Sequence, residues 1–306
     1  MIQLKSQNYI DLKKYDLCVQ RDSSSLPYAL SWYLNTVCEQ WDCLVLDDYD
    51  AVWPLPFRRK YGLKYYFRPF GIQQLGIYSK KPLSAEDREN FILQIPRNAM
   101  LTDIYLNEGQ LRNLKRAASF VIQEQCNLKL ALSQSYEKVY EGFNTNLKRK
   151  LKKSSQENLS LFEHDGPEVL LQLFKENQGE RLGLSDDFYR VFKTLLFQLM
   201  HRGMGKLYTL YGGPNQLMAG AFFLEYGGRS IFLFSANSEL GKDHNALAYL
   251  INEYLIFNSE HFEFLDFEGS NQPGLARFYK SFGAEEFTYH RLYRNRLPWP
   301  LNKFRL

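Results

Sequence analysis

Residues 266–287 read DFEGSNQPGLARFYKSFGAEEF, and this stretch decides the fold. It joins a short apolar strand, FEFLDF (262–267), to a helix over GLARFYKSF (274–282) and a closing strand from Glu286 to Arg294. Just upstream, Leu247, Leu250, Ile251, Tyr254 and Leu255 follow the 3, 4, 7, 8 spacing of a core-facing helical stripe, with Asp243 placed to cap it. Before that come KLYTLYG (206–212), LMAGAFFLEY (217–226) and RSIFLFSA (229–236), separated by GGPNQ and GG turns. They predict a three-stranded antiparallel meander. Its last strand is apolar at consecutive positions from Ile231 to Phe234, the pattern of a strand buried on both faces.

Further upstream, two helical stretches (167–177 and 186–201) follow a segment in which Val139, Phe143, Leu147 and Leu151 recur every four residues. That spacing predicts a helix with one buried stripe, and Lys148, Arg149, Lys150, Lys152 and Lys153 give it a cationic side. The later half therefore runs helices, meander, helix, strand, helix, strand. The earlier half also mixes both element types: a strand at DLCVQ (16–20), a helix from Leu26 to about Glu39, strands at 42–48, 51–62 and 64–69, a helix from Ser84, and strands at 100–106 and 127–133. Pro54 and Pro56 inside an apolar run predict an edge or a bulge, because proline cannot donate to a ladder. No exact internal repeat is visible.

Composition agrees with a folded chain. Of 306 residues, 45% are hydrophobic, 24% charged and 16% aromatic, which excludes a solvated tail. The net charge of +4 is too small to make nucleic acid the default partner, though a local basic patch can still act. Cys18, Cys38, Cys43 and Cys126 lack CxxC spacing and read as reduced thiols. The five histidines have no metal-binding spacing, and neither a G-x-S-x-G elbow nor a Walker loop occurs, so no metal, serine hydrolase or P-loop NTPase is expected. No leader-like segment or membrane-length apolar run appears, so the expected location is the cytoplasm, with the inner membrane face open to a peripheral protein.

The element order and the Asp266-to-Gly283 block resemble the GNAT acyltransferase superfamily, and within it the Fem-type branch. Tyr28-x-x-Ser31-Trp32-Tyr33-Leu34, Arg68-Pro69-Phe70-Gly71 and Asn146-Leu147-Lys148-Arg149-Lys150 are similar to Fem-type signatures and stand in the family's order. The resemblance implies a mixed α/β chain of two tandem GNAT-like domains, each a mostly antiparallel mixed sheet flanked by helices. The expected division is 1–135, shaping the acceptor site, and 136–306, carrying the chemistry. It also implies transfer of an acyl or aminoacyl group from an acyl-CoA, acetyl-CoA or similar activated donor to an amine of a cell-envelope or glycan precursor. Two departures bear on the donor. Where acetyl-CoA enzymes have an Arg/Gln-x-x-Gly-x-Gly/Ala phosphate loop, this chain has Asn237 to Ala246 with one glycine. Where Fem-type aminoacyltransferases typically have Phe-Lys, it has Phe278-Tyr279, as CoA-dependent relatives often do.

Acyl transfer to an amine needs a base, donors for the oxyanion and an acid for the leaving group. Tyr279 is the candidate acid, with core packing as its other role. Asp266 and Glu268, two apart on a strand and so on one face, are candidate bases, or else a helix cap and an ion-pair partner. Backbone N–H groups near Ser235, Ala236 and Asn237 are candidate oxyanion donors, with Asn271 and Lys280 as further donor-binding candidates. Lys148, Arg149, Lys152 and Arg68 are candidates for binding the acceptor or a phosphate, the ligand being a nucleotide sugar, a lipid-linked precursor or transfer RNA; the basic run reads equally as a solvated face. A binding module for anionic ligands without catalysis and a transfer-RNA-dependent aminoacyltransferase are the alternative functions.

Overall fold

The computed structural model describes residues 1–111, 119–164, 166–179, 182–213, 215–269 and 271–299. The chain forms two compact units, Met1–Cys126 with the chain from Thr288 onward, and Asn127–Phe287.

The first unit contains β1 (Ile2–Ser6), α1 (Leu12–Arg21), α2 (Ser31–Val37), β2 (Gln40–Leu46), β3 (Ala51–Lys60), β4 (Leu63–Tyr66), the short β5 (Tyr78–Ser79), α3 (Ala85–Leu93) and β6 (Leu101–Leu106). β1 to β4 pair antiparallel in sequence, and β4 runs parallel to β6. The next strand in this sheet comes from the end of the chain: in β13 (Glu285–Asn295), residues 290–295 lie antiparallel to β6. Trp53, Leu55, Tyr66, Phe91, Ile104 and Leu292 meet in its core.

Residues 16–20, expected as a strand, belong to α1. Asp11 caps that helix by accepting from the Lys13 and Lys14 N–H groups, and Tyr15, Cys18 and Val19 bury one face at helical spacing. The prolines of β3 have a local explanation. β3 is flanked by β4 only from Phe57 and by β5 only up to Val52, so Pro54 and Pro56 sit where one side of an interior strand has no ladder. Ser84 starts α3 with a capping box, its side chain accepting from the Asp87 N–H while the Asp87 side chain accepts from the Ser84 N–H.

The second unit repeats this order. Its helices α4 (Tyr136–Glu141) and α5 (Thr145–Ser154) lead to β8 (Leu159–His164), α6 (Glu168–Phe174) and α7 (Asp186–His201). The meander β9 (Gly205–Gly212), β10 (Gln216–Tyr226) and β11 (Arg229–Asn237) comes next, then α8 (Glu239–Asp243), α9 (Ala246–Asn258), β12 (Phe264–Asp266) and α10 (Pro273–Lys280). β8 to β11 pair antiparallel, β11 runs parallel to β12, and β12 pairs antiparallel with residues 129–131 of β7 (Val121–Ala131). In the first unit, then, the strand beside the parallel pair comes from the far end of the chain, and in the second from the start of that unit's own span. The Gly227-Gly228 turn, with φ of 58° and 76°, joins Tyr226 to Arg229 in the left-handed conformation that a two-residue hairpin requires.

Helices cover both faces of this sheet. Phe174 of α6 and Phe192 of α7 each lie 4.7 Å from Phe234, while Tyr254 of α9 stacks on Phe223 at 3.6 Å and 3°. Val139, Phe143, Leu147 and Leu151 are all buried, but the single helix expected through them breaks at residues 142–144 into α4 and α5. Asn245, at φ 55°, precedes α9, and Asp243 closes α8 instead of capping α9.

Candidate active site

The parallel pair in the second unit lasts only three residues: Arg229 opposite Phe264, Ser230 opposite Leu265 and Ile231 opposite Asp266. β12 then ends, and the next amide, Phe267, donates to the Leu128 carbonyl 2.9 Å away on the β7 side. β11 continues to Asn237, and beyond Ile231 it pairs, among the described residues, with β10 alone. The two strands therefore part at Phe232 and Phe267, leaving one backbone edge of β11 without a neighbouring strand. β11 is also bulged there. Phe223 opposes Phe232 and Phe222 opposes Phe234, so Leu233 is the extra residue. The bulge reverses the alternation of faces, which is how Phe232 and Phe234 bury toward opposite helix layers. Sequence reasoning had no signal for it, because an extra residue in a ladder is a matter of backbone register.

Tyr279 occupies the point of divergence. Its ring stacks on Phe267 at 4.5 Å and 13° and meets Phe232 edge-on at 6.2 Å. The residue is 7% exposed, its hydroxyl forms no hydrogen bond among the described residues, and it lines neither the second-unit groove that holds Lys148 nor the pocket that holds Lys129. Burial, and after it the charge of Glu268, holds its pKa well above the ordinary tyrosine range, so the phenol keeps its proton through neutral pH.

The two carboxylates do not share a strand face, because β12 stops at Asp266 and Glu268 takes a left-handed conformation at φ 53°. Asp266 is buried and held: it accepts from Asn127 Nδ2 at 3.1 Å and from the Glu268 N–H at 2.9 Å, which fixes the turn. Nor does it cap α10, whose N-cap residue, Gln272, makes no side-chain bond. Glu268 is half-buried, and it is the carboxylate whose field reaches the phenol.

Ser235, Ala236 and Asn237 lie on the part of β11 beyond the divergence, opposite Ala221, Gly220 and Ala219 of β10. The Asn237 side chain turns toward Gly241, and its Oδ1 is buried without a partner among the described residues. Asn271 is exposed, and Lys280 points outward to pair with Glu286 at 2.6 Å. Arg68, in the first unit, lies over the Tyr105 ring at 4.0 Å.

The segment where a phosphate loop would stand is consumed by α8. Ser238 Oγ accepts from the Gly241 N–H, and the Ser238, Lys242, His244 and Asn245 amides all donate to carbonyls of the chain itself. A Cβ at Gly241 would fall 2.2 Å from the Met218 carbonyl oxygen, so this glycine serves packing.

Lys148, Arg149 and Lys152 line a groove of about 670 Å³ between α5 and α9, with Tyr136, Tyr140 and Tyr249 among its walls. A smaller pocket of about 320 Å³ surrounds Lys129, whose ammonium sits 4.8 Å from the Phe264 ring and 4.7 Å from the Phe287 ring. Among the described residues, no cluster of three His, Cys, Asp or Glu side chains is placed to hold a metal ion, and no helix is long and apolar enough to cross a membrane. None of the four cysteines is joined in a disulfide among the described residues.

Comparison with known proteins bears on the second unit and on the fold. Residues 142–259 match the Acetyltransferase (GNAT) domain, and the parallel pair that separates beside a bulged strand lies in and just beyond that span. The second unit therefore contains a GNAT-type acetyltransferase domain. In fold the chain is similar over 98% of its length to FemX, covering 99% of that chain at TM-score 0.69 and 14% identity. An acetyltransferase of the GNAT family from Colwellia psychrerythraea is matched over 96% of this chain and 100% of that one, at TM-score 0.58 and 10% identity. L-PGS from Bacillus licheniformis is matched over 85% and 86%, at TM-score 0.54 and 12% identity. At such identities these likenesses are of fold. No curated protein matches the chain.

Proposed function

We propose that the second unit transfers an acyl or aminoacyl group from an activated thioester or ester to an amine of a cell-envelope or glycan precursor, at the divergence of β11 and β12. The observation that carries the proposal is a protonated phenol at the apex of an opened parallel pair, next to a bulged strand and in the field of a carboxylate. The acceptor ammonium loses its proton to Glu268, directly or through water; its nitrogen attacks the donor carbonyl, and the oxyanion takes hydrogen bonds from free N–H groups of β11 beyond Ile231. Collapse breaks the bond to sulfur or oxygen, Tyr279 gives the leaving group its proton, the nitrogen's second proton passes through water to restore Tyr279, and Glu268 releases its own to solvent. Asp266 positions Glu268 by holding its N–H. The Fem-type resemblance of the sequence supports an aminoacyl-type donor beside acyl-CoA, and the closed α8 segment argues against the backbone phosphate grip of acetyl-CoA enzymes.

The test is turnover with a panel of acyl thioesters and aminoacyl esters against amine acceptors, followed by Glu268→Gln. The substitution is expected to lower turnover by about 10²- to 10⁴-fold with folding intact. Full activity in that variant would remove Glu268 from the mechanism. Donor binding without product from any amine would favour the non-catalytic binding module.

A further inference from the structure

Helix α5 carries Lys148, Arg149, Lys150, Lys152 and Lys153, and none of them forms an ion pair with a carboxylate among the described residues. Elsewhere the surface cations are commonly paired, as in Lys14 with Asp48, Lys193 with Glu168 and Lys206 with Glu163. Leu147 and Leu151 bury one side of α5, which fixes the helix and keeps its cationic side outward. Its start adjoins the end of α10, where the Asn144 N–H donates to the Ser281 carbonyl at 2.9 Å and Phe143 meets Phe282 at 5.2 Å. Its end adjoins the start of α9, where Ser154 Oγ lies 2.8 Å from the His244 carbonyl oxygen.

The α5–α9 groove is therefore a built concavity. Lys148, Arg149 and Lys152 face it with a single carboxylate, Glu253, among its walls, and three tyrosines offer flat surfaces. Lys148 is half-buried and already oriented by the Glu141 carbonyl at 3.0 Å. In the neighbouring segment the Ser238, Gly241, Lys242, His244 and Asn245 amides are spent within α8 and its flanks.

We propose that the α5–α9 groove is a phosphate site, binding the phosphate group of a phosphate-bearing donor or acceptor through Lys148, Arg149 and Lys152, with a planar or sugar portion lying along Tyr140 and Tyr249. Side chains of α5 thus hold the ligand charge that a backbone loop holds in acetyl-CoA enzymes. The ligand's part in the reaction rests on the transferase proposal, but occupancy of the groove does not require turnover.

The experiment is calorimetric titration of the full chain with inorganic pyrophosphate and with uridine diphosphate, and co-sedimentation with vesicles of phosphatidylglycerol against vesicles of phosphatidylcholine. Binding of either soluble anion, or of phosphatidylglycerol vesicles alone, supports the site and tells a free phosphate ester from a lipid headgroup. Lys148→Ala and Lys152→Ala are each expected to weaken that binding about 10- to 100-fold, the range of one charge-assisted hydrogen bond. Lys150→Ala and Lys153→Ala, on the same helix but outside the groove, are expected to change it less than about threefold. Equal losses in both pairs would reduce the effect to diffuse surface charge and overturn the proposal. So would the absence of binding by every probe, or binding confined to an RNA hairpin. Because the readout is binding, failure here leaves the chemistry at Tyr279 untouched.

Discussion

Replacing Tyr279 by Phe removes one oxygen atom from the apex where β11 and β12 part, and the structure separates its two consequences. The ring contacts that hold the residue, the 13° stack on Phe267 and the edge contact with Phe232, involve no oxygen. The hydroxyl has no hydrogen-bond partner among the described residues, so its loss strands no buried group, and stability is expected to change by less than about 1 kcal/mol. Turnover is a different matter. Without a proton for the leaving group, the rate should fall by about 10²- to 10⁴-fold, equivalent to roughly 3 to 5 kcal/mol of barrier. The parent enzyme adds a second signature. Its phenol is held above the ordinary tyrosine pKa, so the acid form persists, and no alkaline loss of rate from this group is expected until above about pH 10. The assay pairs thermal melting with thiol release from an acyl thioester, with and without an amine. A Phe variant that melts like the parent and turns over at the parental rate would refute the role of Tyr279.

The packing sets three further outcomes. Gly241→Ala places a methyl 2.2 Å from the Met218 carbonyl oxygen and should cost about 1 to 3 kcal/mol by chemical denaturation; an unchanged midpoint would show that α8 can shift freely. Asp42 is buried, accepts from the Tyr66 hydroxyl at 2.6 Å and is paired with Lys64, so Asp42→Ala should cost about 3 kcal/mol, and a loss under 1 kcal/mol would contradict a buried pair. The buried phenols Tyr15, Tyr254 and Tyr279 have raised pKa values, mainly through burial, so the unfolded chain ionises first: their contribution is full below about pH 10 and is lost as pH rises beyond it. A melting temperature as high at pH 11 as at pH 8 would contradict that sign.

The sequence disclosed whatever leaves a periodic trace. The meander and the helix through Leu250 and Tyr254 show in side-chain pattern and formed, and of the apolar run at Ile231–Phe234 all but the half-buried Leu233 are buried. Where the trace fails, the cause is visible. Residues 121–125 of β7 are exposed or half-buried, and without apolar alternation the expected strand began only at Asn127. The stretch 16–20 is too short to show a helical period by itself, and the Asp11 cap that starts the helix lies outside it. The carboxylate pair at 266 and 268 was read with period two, but one left-handed residue cancels that rule. Most of the basic cluster's significance was also illegible: five cations within six residues are plain in the sequence, while their lack of carboxylate partners among the described residues is a property of the fold.

The repeated topology sharpens one last prediction, that each chain binds one donor. Both units contain a parallel pair that diverges, β4 from β6 and β11 from β12. The units differ in the connection that leaves the first strand of the pair. After β4 a long connection, residues 67–84, turns back, and its Leu75 N–H donates to the Tyr105 carbonyl of β6 at 2.8 Å. The Gly76 N–H bonds Asn107 Oδ1 at 3.0 Å and Trp53 Nε1 bonds the Leu75 carbonyl at 3.0 Å, so the chain itself takes the edge that divergence exposes. After β11 there is no such connection, since Ser238 caps α8 at once. An edge already hydrogen-bonded to its own backbone has nothing to offer a donor's amides, whereas an unpaired one does. Titration with a competent donor should therefore saturate at one equivalent per chain, and substitutions at Leu75 or Trp53 should lower stability without changing donor affinity. Two equivalents of equal affinity would mean that the 71–77 segment yields its place, and the second unit could no longer be taken as the single seat of the reaction.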